Sequence, residues 1–327
     1  MSVFITGANG FIGSNLVEAL NESGIEPVIL RRESSSLKLL KDLRYKSVIG
    51  DILDSPSSLA ASMEGAQIVF HAAALSDYRW QDEKLIYEIN VGGTANVLAA
   101  AKAAGVSRFV FTSSLSALGI PEEGEVMDES HEFNLSPKQF PYGHSKYLAE
   151  IEVRKAVDGG LDAFIVNPSG VVGPRGAGQT VFALFREAAS GRLRFYPPGG
   201  LNIVAVQDVA AALLAVADRG RVGENYIIAG ENVSYKDAIT VGCEVVGTKP
   251  PIARVPGWIL PPLASLLDFS HGILGDRIPL EANQVRLAAR HVYADGSKSI
   301  HELGLAYMPF RAAVESAFHW YLENGYL

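Results

Sequence analysis

Short apolar runs alternate with amphipathic stretches through the first half of the chain. Runs typical of buried strands are SVFITG, EPVILRR, YKSVIGD, AQIVFHAAA, RFVFTSS and DAFIVNPSGVVGPR. Between them, helical spacing of apolar residues occurs in a stretch that ends at Gly24, at about residues 83–104, and in PYGHSKYLAEIEVRKAV. Apolar strands separated by helices predict an α/β fold, a doubly wound parallel sheet covered on both faces.

The pattern changes after about Gly173. Glycine and proline cluster in VVGPRGAGQ and FYPPGGLN, and helical stretches dominate from there on. We therefore predict a first domain at residues 1–173 and a smaller, mainly helical lobe at 174–327. The stretch LNIVAVQDVAAALLAV is typical of a strand followed by a helix. A return segment at about 201–230 is expected to rejoin the first domain.

Composition and charge exclude some functions. The 327 residues are 48% hydrophobic and 20% charged, as in an ordinary globular protein. The net charge is −8 and no basic stripe is present, which argues against nucleic acid as the main partner. The seven histidines show no paired ligand spacing, so no metal site is expected.

Other features predict a cytoplasmic protein without stable membrane insertion. Cys243 is the one cysteine, which rules out an intramolecular disulfide, and its apolar surroundings favour a structural role. No signal peptide is expected, because the first strand begins at Ser2. The apolar stretch WILPPLASLL is too short to span a bilayer. Its two prolines and the lack of a basic face favour a core or pocket helix over a membrane-surface helix.

The stretch TGANGFIG joins the first predicted strand to the first helix. Gly7, Gly10 and Gly13 stand three apart in it. Glycines let a backbone turn tightly and approach a phosphate, and the helix start offers free N–H groups to that anion. A tight turn alone needs one such glycine. The set therefore favours a dinucleotide site, although G-x-x-G-x-x-G differs from the dehydrogenase pattern G-x-G-x-x-G.

The end of the second strand indicates which dinucleotide is bound. Arg31 and Arg32 stand where NAD-binding proteins usually place an acid for the ribose hydroxyls, and an arginine fork suits a 2′-phosphate. We therefore predict NADP(H) over NAD(H), with NAD(H) left open because Glu33 is adjacent. Asp51, after the third strand, is a candidate for the adenine amino group or for a helix cap.

YGHSK places Tyr142 and Lys146 one helical turn apart on one face. A lysine ammonium beside a phenol lowers its pKa from about 10 toward neutrality. The tyrosine can then donate or accept a proton when a hydride moves to or from carbon. Ser114, at the end of FTSS, is the candidate to hold the carbonyl oxygen, and Ser113 is the nearby alternative.

Together with HAAA, NVGGT and NPSGVVGPR, these motifs resemble the extended short-chain dehydrogenase/reductases, in the family's order over essentially the whole chain. The resemblance implies a Rossmann-type first domain and a homodimer formed by two long helices. It implies catalytic roles for Ser114, Tyr142 and Lys146, with Asn90 supporting the site. It implies cofactor-binding roles for Gly7, Asn9, Gly10, Phe11, Ile12, Gly13, Asp51, Ile52, Ala72, Ala73, Tyr142, Lys146, Pro168 and Ser169.

Within that family the chain is similar to the dihydroflavonol-reductase-like branch. VNPSGVVGPR, GLNIVAVQDVA and GENYIIAGEN also resemble bacterial proteins named hopanoid-associated sugar epimerases. Relatives that act on nucleotide sugars hold a diphosphate with arginines, many of them in an Arg-Asp pair where this chain has Leu201 and Asn202. Arg286 and Arg290 are alternative ligands, although a solvated helix face is the simpler interpretation of both.

The sequence therefore predicts an NADPH-dependent reductase or dehydrogenase that interconverts an aldehyde or ketone with its alcohol on a mainly apolar small molecule. The large apolar side chains of the second lobe and the scarcity of phosphate ligands favour this substrate. Trp80, with Tyr78 and Asp77 beside it, is a candidate cover for the site. The alternatives are a nucleoside-diphosphate-sugar epimerase or dehydratase with tightly bound NAD(P), and a non-catalytic NADP(H) sensor.

Overall fold

Residues 2–76, 83–176, 186–191, 193–274 and 282–327 are described by the structure, a computed structural model. Asp77, Tyr78 and Trp80 lie outside these residues. Thirteen described strands are β1 Val3–Thr6, β2 Val28–Arg31, β3 Lys46–Ile49, β4 Ile68–His71, β5 Arg108–Thr112, β6 Ala163–Pro168, β7 Gly170–Val172, β8 Phe195–Tyr196, β9 Gly200–Ala205, β10 Asn225–Ile228, β11 Glu231–Ser234, β12 Ala253–Arg254 and β13 His291–Val292.

The described α-helices connect and cover these strands. They are α1 Phe11–Glu22, α2 Pro56–Ser62, α3 Glu83–Tyr87, α4 Thr94–Ala103, α5 Pro141–Asp158, α6 Val206–Arg219, α7 Tyr235–Val245, α8 Leu260–Leu274, α9 Ala282–Leu287, α10 Ser297–Leu303 and α11 Phe310–Glu323. A π-helical turn, Glu88–Gly93, joins α3 to α4.

Seven strands form the central parallel sheet in the order β10-β6-β5-β4-β1-β2-β3. One face packs on α1 and α6 through buried side chains such as Leu16 and Val209. The other face packs on α2, α4 and α5 through side chains such as Leu59, Val97 and Val153. Helices on both faces explain the uninterrupted apolar strands, and the predicted doubly wound α/β fold is confirmed.

The second lobe combines helices with short strands. A four-stranded sheet places β9 between β11 and β13, and β7 also pairs with β9. Strands β8 and β12 form a separate two-stranded ribbon. The apolar face of α11 packs on this region through Phe310, Val314 and Tyr321. This lobe is therefore helical with small sheets, rather than helical alone.

The return segment is more divided than the pattern indicated. Within residues 201–230, α6 and β10 join the first domain, whereas β9 belongs to the small sheet. The chain crosses back a second time, because the Ser299 hydroxyl in α10 donates to the carbonyl of Ile227 in β10. Sequence periodicity reports which faces are apolar but not which sheet receives them.

Two helical stretches differ from their predictions. The helix predicted at about residues 83–104 is interrupted by the π turn that contains Asn90. In WILPPLASLL, α8 begins at Leu260 with both prolines in its first turn, where proline is well tolerated. Only one of its faces is buried, so this helix is amphipathic rather than a core helix. In the described part of the chain, no helix is both long and apolar enough to span a bilayer.

Candidate active site

Two connected cavities lie at the carboxyl ends of the central strands. The larger has a volume of about 460 Å³ and the smaller about 400 Å³, and both are lined by Gly7, Gly10, Ala72 and Ala74. They meet beside β1 and β4, where the strand order reverses direction. Ligands of open parallel sheets bind at this kind of switch point.

The glycine turn after β1 has little room for side chains. Gly7 has φ +75°, and a Cβ there would lie 2.4 Å from the Ala73 nitrogen. A Cβ on Gly13 would lie 2.1 Å from the Gly7 carbonyl oxygen. Gly7 therefore lets the turn approach Ala72 and Ala73, and Gly13 lets α1 start against the turn.

Gly10 has a different surrounding. It precedes α1 with ordinary φ, and its added Cβ would meet only the Gly7 carbonyl, at 3.2 Å, and otherwise open space. The start of α1 has no side-chain cap, so its first N–H groups face the cavities beside Phe11 and Ile12. An uncapped helix start in an open cradle fits the pyrophosphate of a dinucleotide.

The smaller cavity carries the residues predicted to bind adenosine. Arg31, Arg32, Asp51 and Ile52 line it, as does Asn9. Arg31 Nε donates to Ser47 Oγ at 3.4 Å, and no side-chain partner of Arg32 is found in the described part of the chain. Both guanidinium groups are thus placed for an anionic ligand.

Asp51 does not cap the next helix. Its Oδ1 accepts from the Leu53 N–H at 3.0 Å, and the cap of α2 is the Ser55 hydroxyl. Ile52 is buried against Gly93, where a Cβ would lie 2.6 Å from Ile52 Cδ1. The adenine end of the cavity is therefore held by the π turn as well as by β3.

Tyr142 and Lys146 lie one turn apart on α5, and both line the larger cavity. Lys146 Nζ donates to the Thr112 carbonyl at 2.7 Å and lies 4.2 Å from the centroid of the Phe111 ring. Burial lowers the pKa of Lys146 to about 7, while the Glu150 carboxylate opposes this shift. The ammonium has further donors left for a ribose hydroxyl.

The two serines after β5 have separate roles. The Ser113 hydroxyl donates to Glu150 Oε1 at 2.5 Å and is buried. The Ser114 hydroxyl accepts from the Ser116 N–H at 3.2 Å and lines the larger cavity. Ser114 is therefore the serine whose hydroxyl can donate to a substrate oxygen.

Glu150 was not among the residues identified from sequence. It is almost fully buried, and its Oε1 also accepts from Asn167 Nδ2 at 2.6 Å. Asn167 donates in turn to the Ser114 carbonyl at 3.1 Å. Burial raises the pKa of the Glu150 carboxyl, while its hydrogen bonds and the nearby cations act against that shift. Its position four residues after Lys146 was the available signal, since this spacing repeats one helix face.

Asn90 supports the site from behind. Its Nδ2 donates to the Leu75 carbonyl at 3.0 Å and to Ser145 Oγ at 2.9 Å, while its Oδ1 accepts from the Leu75 N–H at 2.8 Å. The side chain is buried and lies outside the described lining of both cavities. It ties the loop after β4 to α5, so it positions the site rather than contacting the reactants.

A second buried polar chain begins at His71. Its Nδ1 lies 2.6 Å from Thr6 Oγ1 and its Nε2 lies 3.0 Å from Thr94 Oγ1. Thr94 donates to the Asn90 carbonyl at 2.6 Å, so it accepts from His71, and the proton of the neutral ring belongs on Nε2. Complete burial and the nearby Lys146 lower the pKa of His71 to about 3. This chain joins the glycine turn to the Asn90 turn.

The substrate end of the larger cavity is mainly apolar. Leu201 lines it, while Asn202 is committed elsewhere: its Oδ1 accepts from Ser169 Oγ at 2.7 Å, and its Nδ2 donates to Asn232. Pro168 and Ser169 form the wall beyond β6. Among the described lining residues, Lys146 is the one cation.

The two arginines considered as phosphate ligands make other contacts. Arg286 forms an ion pair with Asp268 and donates to Asn283 Oδ1 at 2.9 Å. Arg290 donates to the Pro121 carbonyl at 2.9 Å. Neither is a described lining residue of the larger cavity. The structure thus agrees with the simpler interpretation of both.

Comparison with known proteins gives the family. The sequence profile of the NAD dependent epimerase/dehydratase family matches residues 3–229, well over half of the chain. The chain belongs to this family. It is therefore an NAD(P)-dependent enzyme of the extended short-chain dehydrogenase/reductase type, as its motifs predicted.

Individual members of the epimerase/dehydratase family match over their whole length. A putative dihydroflavonol 4-reductase of Synechocystis is 34% identical over 99% of this chain and 95% of the relative. Sterol demethylase protein B of Methylococcus capsulatus is 31% identical over 99% of each chain. The crystal structure of gox2253 is 34% identical, covers 99% of this chain and 98% of that one, and has a TM-score of 0.86.

Proposed function

We propose that this enzyme interconverts an aldehyde or ketone with its alcohol on a mainly apolar small molecule, with NADP(H) as preferred cofactor. The observation that carries this proposal is the lining of the substrate end. The described side chains around Ser114 and Tyr142 there include Ile120, Leu135, Phe140, Leu201, Leu287 and Val292. A diphosphate-bearing substrate needs bidentate donors, which this wall does not supply from its described residues.

The chemistry follows from the positions of three side chains. The bound nicotinamide supplies or accepts the hydride. The Tyr142 hydroxyl gives a proton to the substrate oxygen in reduction and removes it in oxidation. The Ser114 hydroxyl donates to that same oxygen and holds it beside Tyr142. The Lys146 ammonium favours the phenolate and is placed to bind a ribose hydroxyl.

The preference for NADP(H) is supported by Arg31 and Arg32. Both line the adenosine cavity, and two guanidinium groups match a 2′-phosphate better than they match ribose hydroxyls. The Arg31→Ala/Arg32→Ala double variant is expected to raise the KM for NADPH by at least about tenfold and to change the KM for NADH little. Equal loss with both cofactors would contradict this preference.

The relatives' names also support an apolar substrate. A dihydroflavonol is an aromatic ketone, and the Methylococcus relative is named for a sterol. We further propose that the enzyme is a homodimer formed by the outer faces of α4 and α5, as the family resemblance implies. Light scattering of the purified protein would show one subunit mass if this is wrong.

The test is nicotinamide absorbance over time with a panel of apolar aldehydes and ketones. We expect net loss of NADPH, faster than of NADH. Tyr142→Phe is expected to lower kcat by at least about a hundredfold, because it removes the proton donor. A Tyr142→Phe enzyme that keeps most of the rate would contradict the mechanism.

The same assay separates the main alternative. A nucleotide-sugar epimerase returns its hydride, so it would show no net loss of NADPH and would carry nicotinamide cofactor through purification. Conversion of nucleotide sugars by such a preparation would overturn the proposed substrate class.

A further inference from the structure

A cluster of exposed apolar side chains lies on the second lobe, away from the catalytic residues. Trp258 is 77% exposed, Ile252 74%, Phe195 61% and Leu266 59%. Single exposed apolar residues are ordinary, but these four lie on connected elements. We call them, together with Arg194, Lys249 and Arg254, the ribbon surface.

Backbone pairing brings most of these residues together. In the ribbon of β8 and β12, Phe195 pairs with Ala253, and the Ile252 N–H donates to the Arg194 carbonyl at 3.0 Å. The Val255 N–H donates to the Tyr196 carbonyl at 2.9 Å, and the chain then turns through Trp258 into α8. The ribbon surface is thus built from two segments about sixty residues apart in sequence.

The charge of the ribbon surface is opposite to that of the whole chain. Residues 188–207 and 245–267 contain no aspartate or glutamate, although the net charge of the protein is −8. Arg194, Lys249 and Arg254 are exposed, and no ion pair of theirs occurs among the described residues. The flanking acids Glu244 and Asp268 pair with Arg311 and Arg286. Unpaired cations beside aromatic side chains complement an anionic, partly apolar partner.

The ribbon surface is also connected to the substrate cavity. The buried face of α8, with Leu260, Ala264 and Leu267, packs on α9. Leu287 at the end of α9 lines the larger cavity. An exposed face and a substrate wall therefore belong to one helical pair.

We propose that the ribbon surface docks the enzyme on the headgroup layer of an anionic lipid bilayer, with Trp258, Ile252 and Phe195 entering the interface. Interfacial binding combines buried apolar area with attraction of cations to anionic lipids. Tryptophan is favoured at this depth because its ring is apolar and its N–H remains solvated. The benefit for catalysis rests on the proposed apolar substrate, which would enter from the lipid; the docking does not.

Vesicle flotation tests the docking without any turnover. The purified enzyme is expected to float with vesicles of equal parts phosphatidylcholine and phosphatidylglycerol, and much less with phosphatidylcholine alone. Trp258→Ser/Ile252→Ser is expected to weaken this binding by at least roughly tenfold, since it removes two inserting side chains. Arg254→Glu is expected to weaken binding by a similar factor and to reduce its salt sensitivity.

The matched control is Val222→Ser, at an exposed apolar residue outside the ribbon surface that is 45% exposed. It is expected to float like the wild type. An unchanged melting temperature and unchanged turnover of a water-soluble carbonyl would show that the ribbon variants remain folded and catalytically intact. Because docking and turnover are measured separately, failure of one is distinguishable from failure of the other.

Three results would overturn the proposal. Wild-type enzyme that does not float with anionic vesicles excludes a membrane partner. Ribbon variants that float like the wild type assign the binding to another surface. If the vesicle assay is negative and Trp258→Ser/Ile252→Ser lowers the sedimentation coefficient of the free enzyme, the ribbon surface joins two copies of the chain instead.

Discussion

At the residue scale, the catalytic set depends on a buried carboxyl. Glu150 accepts from Ser113 and Asn167, which follow or end β5 and β6, while Lys146 holds the Thr112 carbonyl. These bonds fix α5 against the strand ends that carry Ser114. The distance between the proton donor on the helix and the serine on the loop is thereby set by groups that never touch substrate.

Glu150→Gln separates the charge of this group from its geometry. Gln keeps an acceptor oxygen for Ser113 and Asn167 but removes the negative charge that raises the pKa of Lys146. The decline of the reduction rate at high pH is expected to move to lower pH by about one unit. His71, Arg154 and Tyr142 also face this region and are unchanged. A pH–rate profile of kcat measures the shift.

Glu150→Ala is expected to lose both the charge and the acceptor. Two buried donors are left unpaired beside a cavity, which costs about 3 kcal/mol of the free energy of unfolding. Glu152→Gln on the exposed side of the same helix is the control and is expected to leave both properties unchanged. A Glu150→Gln enzyme with the wild-type pH profile would show that only the geometry of Glu150 matters.

At the element scale, the turn between β1 and α1 assigns different tasks to its glycines. Gly13 and Gly7 are required by backbone packing, whereas Gly10 borders open space in both cavities. One motif therefore serves the fold and the cofactor through different positions.

Alanine substitutions are expected to distinguish these tasks. Gly13→Ala forces the turn backbone to move, because its Cβ would lie 2.1 Å from the Gly7 oxygen, and should lower the melting temperature strongly. Gly10→Ala should change the melting temperature little and weaken dinucleotide binding by at least about tenfold, since its methyl group occupies the phosphate position. Calorimetry with and without cofactor measures both effects. Similar melting temperatures for the two variants would contradict this assignment.

At the scale of the whole molecule, His71 links stability to pH. The unfolded chain takes up a proton on this side chain near its ordinary pKa of 6.5, and the folded protein only near pH 3. Unfolding therefore binds a proton throughout that window, and the free energy of unfolding decreases as the pH falls. The stabilising contribution of the neutral ring is complete above pH 6.5 and is lost toward pH 3.

Urea unfolding at several pH values measures this linkage. Between pH 6.5 and about pH 5, His71 is expected to contribute a decrease of roughly 2 kcal/mol. His71→Gln should be less stable at neutral pH but should lack this part of the decrease. His301→Gln, at an exposed histidine in α10, should keep it. An equal pH dependence in wild type and His71→Gln would show that His71 does not carry the linkage.

The sequence by itself determined the α/β class, the glycine turn and the family. The reason is that each is encoded locally, by apolar periodicity or by motifs of a few neighbouring residues, such as the one-turn spacing of Tyr142 and Lys146. It also indicated an apolar substrate wall through Leu201. Glu150 was within reach of the same helical spacing but carries no motif of its own.

Only the tertiary structure decided how distant residues combine. The bonds of Glu150 to Ser113 and Asn167 join a helix to two strand ends, and the His71 chain joins the glycine turn to the π turn. The ribbon surface needs Arg194 and Arg254 on neighbouring strands, which no single stretch of sequence reveals. Burial, hydrogen-bond partners and surface charge depend on long-range contacts, so they are fixed only when the chain has folded.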